Sequence, residues 1–487
     1  MTSLDDPKRR SVRSKALIPV LVYLGMVTSV VSSLGAPLVP TIAHDTHVSL
    51  ATAQWSLTIS LLMGAVATPT LGRLGDGRHR RLTVLGALVA VLIGCVLAAV
   101  PGPFALLLVG RGLMGVGLGL IPLTMAIARD ALDGEKRARV VGMLSITAVA
   151  GIGLGYPLTG LIAEHLSFRA GFWFGAVVVA IGFVLALLTI PAVTDRPVVR
   201  LDWLGSIMLA AGIAGLLLAL GQSQVWSPEI TIGLVVGSVL VLSMWISHEL
   251  RTAHPLVDLR LVKDRTVLTA DLTGLLAGVG MYALMSMIIR FAQTPESAGY
   301  GFGSSIVVSG LLLLPLSVMS LAASRVAPLL GRRFGQRAVL PLGCMIFIAA
   351  NLLFALDRSH LWEVLVVMAL AGLGVGCTFA ALPGLIVASV PAHETGSAMS
   401  FNQVLRYVGY SMGSALSATV LEAHTPTGQQ LPTGDGYTVV ALLGIGVLVV
   451  AAVVSAVLPR RESIPTEELT EESIAGAVPL DAYATVD

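Results

Sequence analysis

The sequence predicts an all-α integral membrane protein with fourteen transmembrane helices. Three observations carry this. First, 55% of the 487 residues are hydrophobic and only 12% are charged, about half the charged share of an average soluble domain. Second, apolar runs of about 18 to 25 residues recur along nearly the whole chain, the length a helix needs to cross a bilayer. Third, these runs do not alternate apolar and polar residues. That excludes a membrane β-barrel, the other backbone arrangement that satisfies its own hydrogen bonds in lipid.

The spans are expected at 16–42, 51–72, 82–101, 103–127, 139–162, 170–192, 203–221, 230–248, 267–289, 304–326, 338–356, 361–385, 397–421 and 436–458. An even number returns the chain to its starting side. Of the 30 lysines and arginines, 25 lie in the N-terminal segment, the loops on that same side and the tail. Three (Arg169, Arg290 and Arg358) lie in the opposite loops, and Arg111 and Arg406 lie inside spans. By the positive-inside rule the termini are cytoplasmic and the protein is a multi-pass protein of the cytoplasmic membrane. One missed span would scramble that split. The start, MTSLDDPKRRSVRSK, is polar and basic, and no cleavable signal peptide is expected. The acidic tail after Arg461 lacks an apolar run and is expected to be disordered. Cys95, Cys344 and Cys377 lie in apolar runs without metal-ligand spacing. They read as packing residues, so neither metal nor cofactor is expected.

The chain repeats itself eight spans on. GRLGDGRHRRLTVLG in loop 2–3 is echoed by GRRFGQRAVLPLG in loop 10–11. GLMGVGLG in span 4 is echoed by GLGVGC in span 12, and Gly151 and Gly155 of span 5 by Gly409 and Gly413 of span 13. Internal repeats of this kind are common in transporters. The expected organisation is a cytoplasmic segment 1–15, an N-terminal six-helix half 16–192, a two-helix insert 193–266, a C-terminal six-helix half 267–458 and a tail 459–487.

Together these features resemble the major facilitator superfamily, in particular its fourteen-span drug–proton antiporters. The resemblance covers residues 16–460 and implies the major facilitator fold. Gly72, Leu74, Asp76, Arg80 and Arg81 match the loop 2–3 pattern G-x-L-a-D-x-x-G-R-R, with His79 in place of the usual glycine. Span 4 is similar to the family's arginine motif at Arg111, Gly115 and Gly117. Span 5 keeps Gly151, Pro157 and Gly160 of the antiporter motif, with Tyr156 replacing the glycine before proline. Gln54-Trp55 and Asp202-Trp203-Leu204-Gly205 also look like the fourteen-span branch. One departure stands out. The branch usually carries an aspartate in span 1, but TSVVSSLGAPLV has no acid.

The resemblance implies a cytoplasmic gate at Gly72, Asp76, Arg80 and Arg81. Asp76 would pair with Arg80 or Arg81, or face the positive end of a helix in the other half. It implies that Gly151, Gly155, Pro157 and Gly160 belong to a helix sealing the two halves, small residues permitting close contact and proline a kink. Asp271 is the sharpest single residue, because an acid inside an apolar span is costly and by default functional. Helical spacing sets Asp271, Gly274, Leu275, Gly278, Tyr282 and Met285 on one face. The bland alternative is a shallow Asp271 that caps its helix. Arg111 would hold a counter-charge or relay protonation; bonding to backbone carbonyls alone is its structural alternative. Asp271 and Arg111 are therefore the proton-coupling candidates. Met26, Trp55, Tyr282, Met285, Asn402, Arg406 and Tyr410 are the substrate-binding candidates, since thioethers and rings adapt to varied apolar shapes.

No phosphate-cradling loop precedes any of the four lysines, so ATP hydrolysis is not expected and neither is any other enzymatic activity. An ion gradient is the natural source of work. One charge crossing about 120 mV yields about 2.8 kcal/mol, and half a pH unit adds about 0.7 kcal/mol. That sustains a gradient of about a few hundredfold for a neutral substrate. The expected function is proton-coupled export of amphipathic small molecules. The expected partners are substrate, protons and the lipid bilayer, with no nucleic acid, and the expected state is a monomer. The alternatives are a dedicated exporter of an anionic or lipid-like metabolite, and a non-pumping lipid-handling or sensory protein of the same fold.

Overall fold

The computed structural model describes residues 7–34, 38–48, 50–132, 134–191, 201–221, 226–252, 255–260, 264–391, 394–426 and 431–457. Inside its helices, the side-chain surroundings of Gln54, Gly160 and Glu164 fall outside that description. The expected disordered tail, 459–487, lies outside the described residues.

The described residues form helices and no strand. The N-terminal half comprises α1 (Pro7–Ser33), the short α2 (Val39–Asp45), α3 (Leu50–Asp76), α4 (Arg80–Ala99), α5 (Phe104–Gly115), α6 (Leu120–Ala131), α7 (Gly134–His165) and α8 (Phe168–Thr189). The insert is the hairpin α9 (Trp203–Gly221) and α10 (Pro228–Glu249). The C-terminal half comprises α11 (Arg265–Gln293), α12 (Ile306–Leu311), α13 (Leu314–Phe334), α14 (Val339–Leu356), α15 (Leu361–Ser389), α16 (Thr395–Ala423) and α17 (Gly434–Ala456). Twelve segments among the described residues are long and apolar enough to cross a membrane. The helices α3 and α16, of 27 and 29 residues, are more polar and complete the fourteen.

Three expected spans are broken. The first is not one helix over 16–42. The helix α1 ends at Ser33 and α2 starts at Val39, with Pro40 in its first turn, where a missing N–H costs nothing. Span 4 passes through a 3₁₀ stretch, Val116–Gly119, between α5 and α6. Span 10 breaks between α12 and α13, again with a proline, Pro315, in the first turn of the second piece. Where a cap exists it is local. Asp264 accepts from the N–H groups of Thr266 and Val267 to start α11.

Close helix crossings recur in the same way within each half. A Cβ on Gly151 or Gly155 of α7 would stand 2.3 Å from Ser29 Cβ or 1.9 Å from Ser33 Oγ of α1. A Cβ on Gly409 or Gly413 of α16 would stand 2.3 Å from the Leu275 carbonyl or 2.1 Å from the Val279 carbonyl of α11. Gly94 faces Gly110 between α4 and α5 just as Gly343 faces Gly374 between α14 and α15. The two halves thus use one packing scheme twice, with glycines where backbones touch.

The hairpin packs α9 against α3 and α16, at one seam between the halves. Its outer helix α10 leaves Ile232, Val236, Leu240 and Met244 exposed, an apolar face suited to lipid. The opposite seam is formed by α7 against α12, α13 and α15.

Gly413→Leu is expected to lower the thermal unfolding midpoint in detergent by overpacking the α11–α16 crossing, at a cost of about 1–3 kcal/mol. Gly446→Ala, whose Cβ meets nothing within 4 Å, leaves the midpoint unchanged. Equal midpoints for the two variants would contradict the crossing.

Candidate functional site

The arginine-rich face, the side of loops 2–3, 4–5 and 10–11, is where the halves are tied most firmly. The helix α3 ends at Asp76, which is 3% exposed. Its Oδ1 accepts from the Gly396 N–H at 2.8 Å and its Oδ2 from the Ser397 N–H at 2.9 Å. A carboxylate thus sits on the positive end of α16, in the other half. The approach requires glycine on both sides. A Cβ on Gly72 would stand 1.9 Å from Ser400 Oγ, and one on Gly396 2.6 Å from Asp76 Oδ1.

Two further bonds join the same faces. Arg73 Nη1 donates to Glu394 at 2.8 and 2.9 Å. Arg129, at the end of α6, donates to the carbonyls of Val387, Val390 and Pro391 at 3.1–3.3 Å. It places a cation on the negative end of α15. Of the four expected gate residues, Gly72 and Asp76 touch the other half. Arg80 and Arg81 brace their own half: Arg80 pairs with Asp130, and Arg81 donates to the Leu187 carbonyl at 2.7 Å.

Deeper in, Asp271 is 2% exposed. It is not a helix cap, since Asp264 holds that position. It lies seven residues beyond that cap, about 10 Å along the axis. Its Oδ1 accepts from Asn402 Nδ2 at 2.9 Å, and it forms no ion pair with a described residue. One helical turn on, Arg406 is 1% exposed and donates to Ser145 of α7 at 3.2 Å, to Gln403 at 3.2 Å and to Tyr410 at 3.4 Å. Its guanidinium lies 3.7 Å from the Phe379 ring centroid, within cation–π range. Tyr410 stacks on Tyr282 at 4.6 Å, and Met285 lies buried one turn further along α11. Four expected substrate-binding residues, Tyr282, Asn402, Arg406 and Tyr410, therefore belong to one α11–α16 contact with Asp271, and Met285 follows on α11. The remaining two lie elsewhere. Met26 is on α1, where its carbonyl meets Gly151. Trp55 packs on Trp226 of the hairpin, 6.4 Å between rings.

Arg111 is fully buried in the N-terminal half. It donates to the carbonyls of Ser56 at 2.9 Å and Ser32 at 3.3 Å. No described carboxylate pairs with it, so it clamps α1 and α3 onto α5. The motif glycines of α7 divide the work. Gly151 and Gly155 meet α1. Gly153 meets Ser317 and Leu313 of the other half, and Pro157 meets Gly310 of α12. Gly160 lies one turn beyond Pro157 on the same helix.

The sequence reading missed Arg73, Arg129, Ser145, Gln403 and Tyr407. Arg129 carried a signal, a basic residue in the last turn of a helix. Its partner, the end of α15, is more than 250 residues away, and nothing local announces it. Ser145 carried no signal at all.

This arrangement defines a multi-pass helical membrane protein of two six-helix halves joined along a polar seam. A family model for the Major Facilitator Superfamily matches residues 21–414, and again residues 270–482. The chain belongs to that superfamily. It is 26% identical over 417 residues to an uncharacterised MFS-type transporter of Mycobacterium tuberculosis, covering 84% of this chain and 60% of that protein. It thus spans less than two thirds of that relative's length. It is 27% identical over 456 residues to the multidrug resistance protein B homolog of Mycobacterium tuberculosis, covering 90% of this chain and 81% of the homolog. The crystal structure of the human organic anion transporter MFSD10 (TETRAN) matches with a TM-score of 0.63 at 15% identity, covering 91% of this chain and 99% of that one. That is a likeness of fold.

Gly72→Val is expected to hold the arginine-rich seam apart. A cysteine introduced by Ser400→Cys, at a position 0% exposed, should then react about tenfold or more faster with a water-soluble thiol reagent, from an overpacking cost of about 1–3 kcal/mol. An unchanged rate would show that the Gly72–Ser400 contact does not govern closure.

Proposed function

We propose that the chain is a proton-coupled efflux transporter. It exports amphipathic small molecules across the cytoplasmic membrane by alternating access, as a monomer with both termini in the cytoplasm. In this reading the arginine-rich face is cytoplasmic, and the described conformation is closed on that side. Relatives named multidrug resistance proteins support the substrate class.

One observation carries the coupling: Asp271 is a buried carboxylate without an ion pair to any described residue, on the contact from which Arg406 reaches the other half. Protonation of Asp271 from outside removes its charge and weakens what it accepts from Asn402. Substrate binding from inside requires the ionised form. The two events exclude each other, so each drives the release of the other. With span 1 lacking an acid, Asp271 takes over the titrating role, and Arg111 keeps the N-terminal half rigid.

A second reading rests on unused donors. Gln403 Nε2 and Arg406 Nε are buried on adjacent turns of α16 without a hydrogen-bond partner among the described residues, beside the buried Tyr407. Such groups favour a ligand that brings acceptors, which suits an anionic metabolite. A crevice of about 380 Å³ along α7, α13 and α15 has apolar walls and reaches the surface at Arg139 and Arg332. It suits an amphiphile of either kind. Competition of cationic dyes and of organic anions for efflux separates the two readings.

In proteoliposomes, Asp271→Asn is expected to lose pH-driven accumulation, from a ceiling of about a few hundredfold towards about one, while still binding dye. Wild-type pumping by the variant would assign Asp271 a structural role.

A further inference from the structure

The transport cycle proposed above leaves α9 and α10 without a task, yet the end of this hairpin on the arginine-rich face carries a buried acid–base cluster. Glu249 is 2% exposed. Its Oε1 accepts from Trp245 Nε1 at 2.9 Å and its Oε2 from the Leu256 N–H at 3.0 Å. Asp202, at the start of α9, accepts from the Gly205 N–H at 2.9 Å through Oδ1. Through Oδ2 it meets His248 Nε2 at 2.7 Å. The two carboxylates converge on Gly205: a Cβ there would stand 2.5 Å from Asp202 Oδ2 and 2.9 Å from Glu249 Oε1. Gly205 leaves that space to the two oxygens.

The cluster is wired to the seam between the halves. The Leu256 backbone that binds Glu249 through its N–H also accepts, through its carbonyl, from Ser397 Oγ at 2.6 Å. The Ser397 N–H is one of the two that hold Asp76. Trp245 packs on Phe401 of α16 at 6.3 Å between rings. The chain of contacts therefore runs from Asp202 and His248 through Glu249, Leu256 and Ser397 to Asp76.

We propose that Asp202, His248 and Glu249 form a proton-binding site that sets how firmly the arginine-rich face closes, with Glu249 as the positioning residue. The proposal rests on the alternating-access reading. When both carboxylates are ionised, two negative charges share a buried space with one imidazole and repel each other. One proton taken up by the pair removes that repulsion. It comes from solvent at the part-exposed edge of His248, forms one O–H bond, and returns to solvent on release. The protonated hairpin end stays packed and holds Leu256 against Ser397. Deprotonation favours a separated, hydrated pair, and the support of the α16 start is lost. The sign follows by linkage: acid favours the closed face and alkali the open one. The charged groups facing Glu249 are Asp202 and His248. From α16, Phe401 packs on Trp245 and Ser397 bonds to Leu256, neither of which titrates, and Asp76 lies beyond Ser397.

The test uses the full chain in detergent with spin labels on Arg78→Cys, in the loop after α3, and Arg333→Cys, in the last turn of α13, exposed positions one in each half. The three native cysteines are buried. In otherwise unaltered protein the ratio of wide to narrow label distances is expected to rise with pH, by up to about tenfold per unit for one proton. Glu249→Gln removes the titrating charge and keeps one acceptor oxygen; it is expected to lose that proton's share of the slope. Glu249→Asp keeps the slope. Ser397→Ala leaves the site intact but cuts its link, so the slope falls there as well. This variant decides the matter if Glu249→Gln is not monodisperse. Gly72→Val marks the open distance. If it widens the labels while Glu249→Gln keeps the unaltered ratio and slope, the hairpin proposal is overturned and the gate stands. If Gly72→Val does not widen them, that contact does not govern closure; if neither it nor any pH widens them, the alternating-access reading fails, and the Glu249→Gln slope still decides whether the hairpin binds the proton. A ratio independent of pH in the unaltered protein overturns the proposal too.

Discussion

The structure depends on the contact between the end of α3 and the start of α16. Gly72 and Gly396 let two helix backbones meet, and Asp76 fills the gap with a carboxylate aimed at two N–H groups that no helix bond satisfies. Each part needs the others. A side chain at either glycine would separate the donors from the carboxylate, and without the carboxylate two buried donors would stand unpaired, at about 1–3 kcal/mol each. Arg73 and Arg129 extend the same logic with charges of the opposite sign on Glu394 and on the end of α15. The contact is thus electrostatic at its centre and steric at its edges.

The two arginines buried inside spans show how the halves diverged in use. Arg111 spends its bonds on carbonyls of its own half and stiffens it. Arg406 reaches across to Ser145, stands on Phe379 and shares its stretch of α16 with Asn402, the partner of Asp271. Among the described residues, the polar side chains around Asp271 and Arg406 therefore gather in the C-terminal half and at its boundary. The missing acid of span 1 fits this asymmetry.

The insert does more than add hydrophobic surface. Its outer helix faces lipid, its inner helix covers one of the two seams, and its end on the arginine-rich face bonds to the backbone that supports α16. The other seam has no such cover. There α7 meets the opposite half through Gly153 and Pro157, and Gly151 and Gly155 are spent on α1.

The helical class, the span count, the repeat and the loop 2–3 motif were legible in the chain because each rests on local chemistry. Lipid demands apolar runs of fixed length, arginines mark one side, and glycines mark places where backbones meet. The pairing of Asp76 with a helix start was readable as one of two options, since a carboxylate after a helix end has few favourable partners. What could not be read was which helix end it would find, because Gly396 lies 320 residues on. For the same reason Arg129 and Ser145 had no visible partners, and Trp55 could not be seen to pack on the hairpin. The breaks at α2 and α13 were signalled by Pro40 and Pro315 but hidden by continuous hydropathy, which measures transfer to lipid and ignores backbone geometry. Periodicity orients a residue on its own helix; it says nothing of which neighbour covers that face, because helix–helix contacts in a bundle are set by the packing of all the helices together.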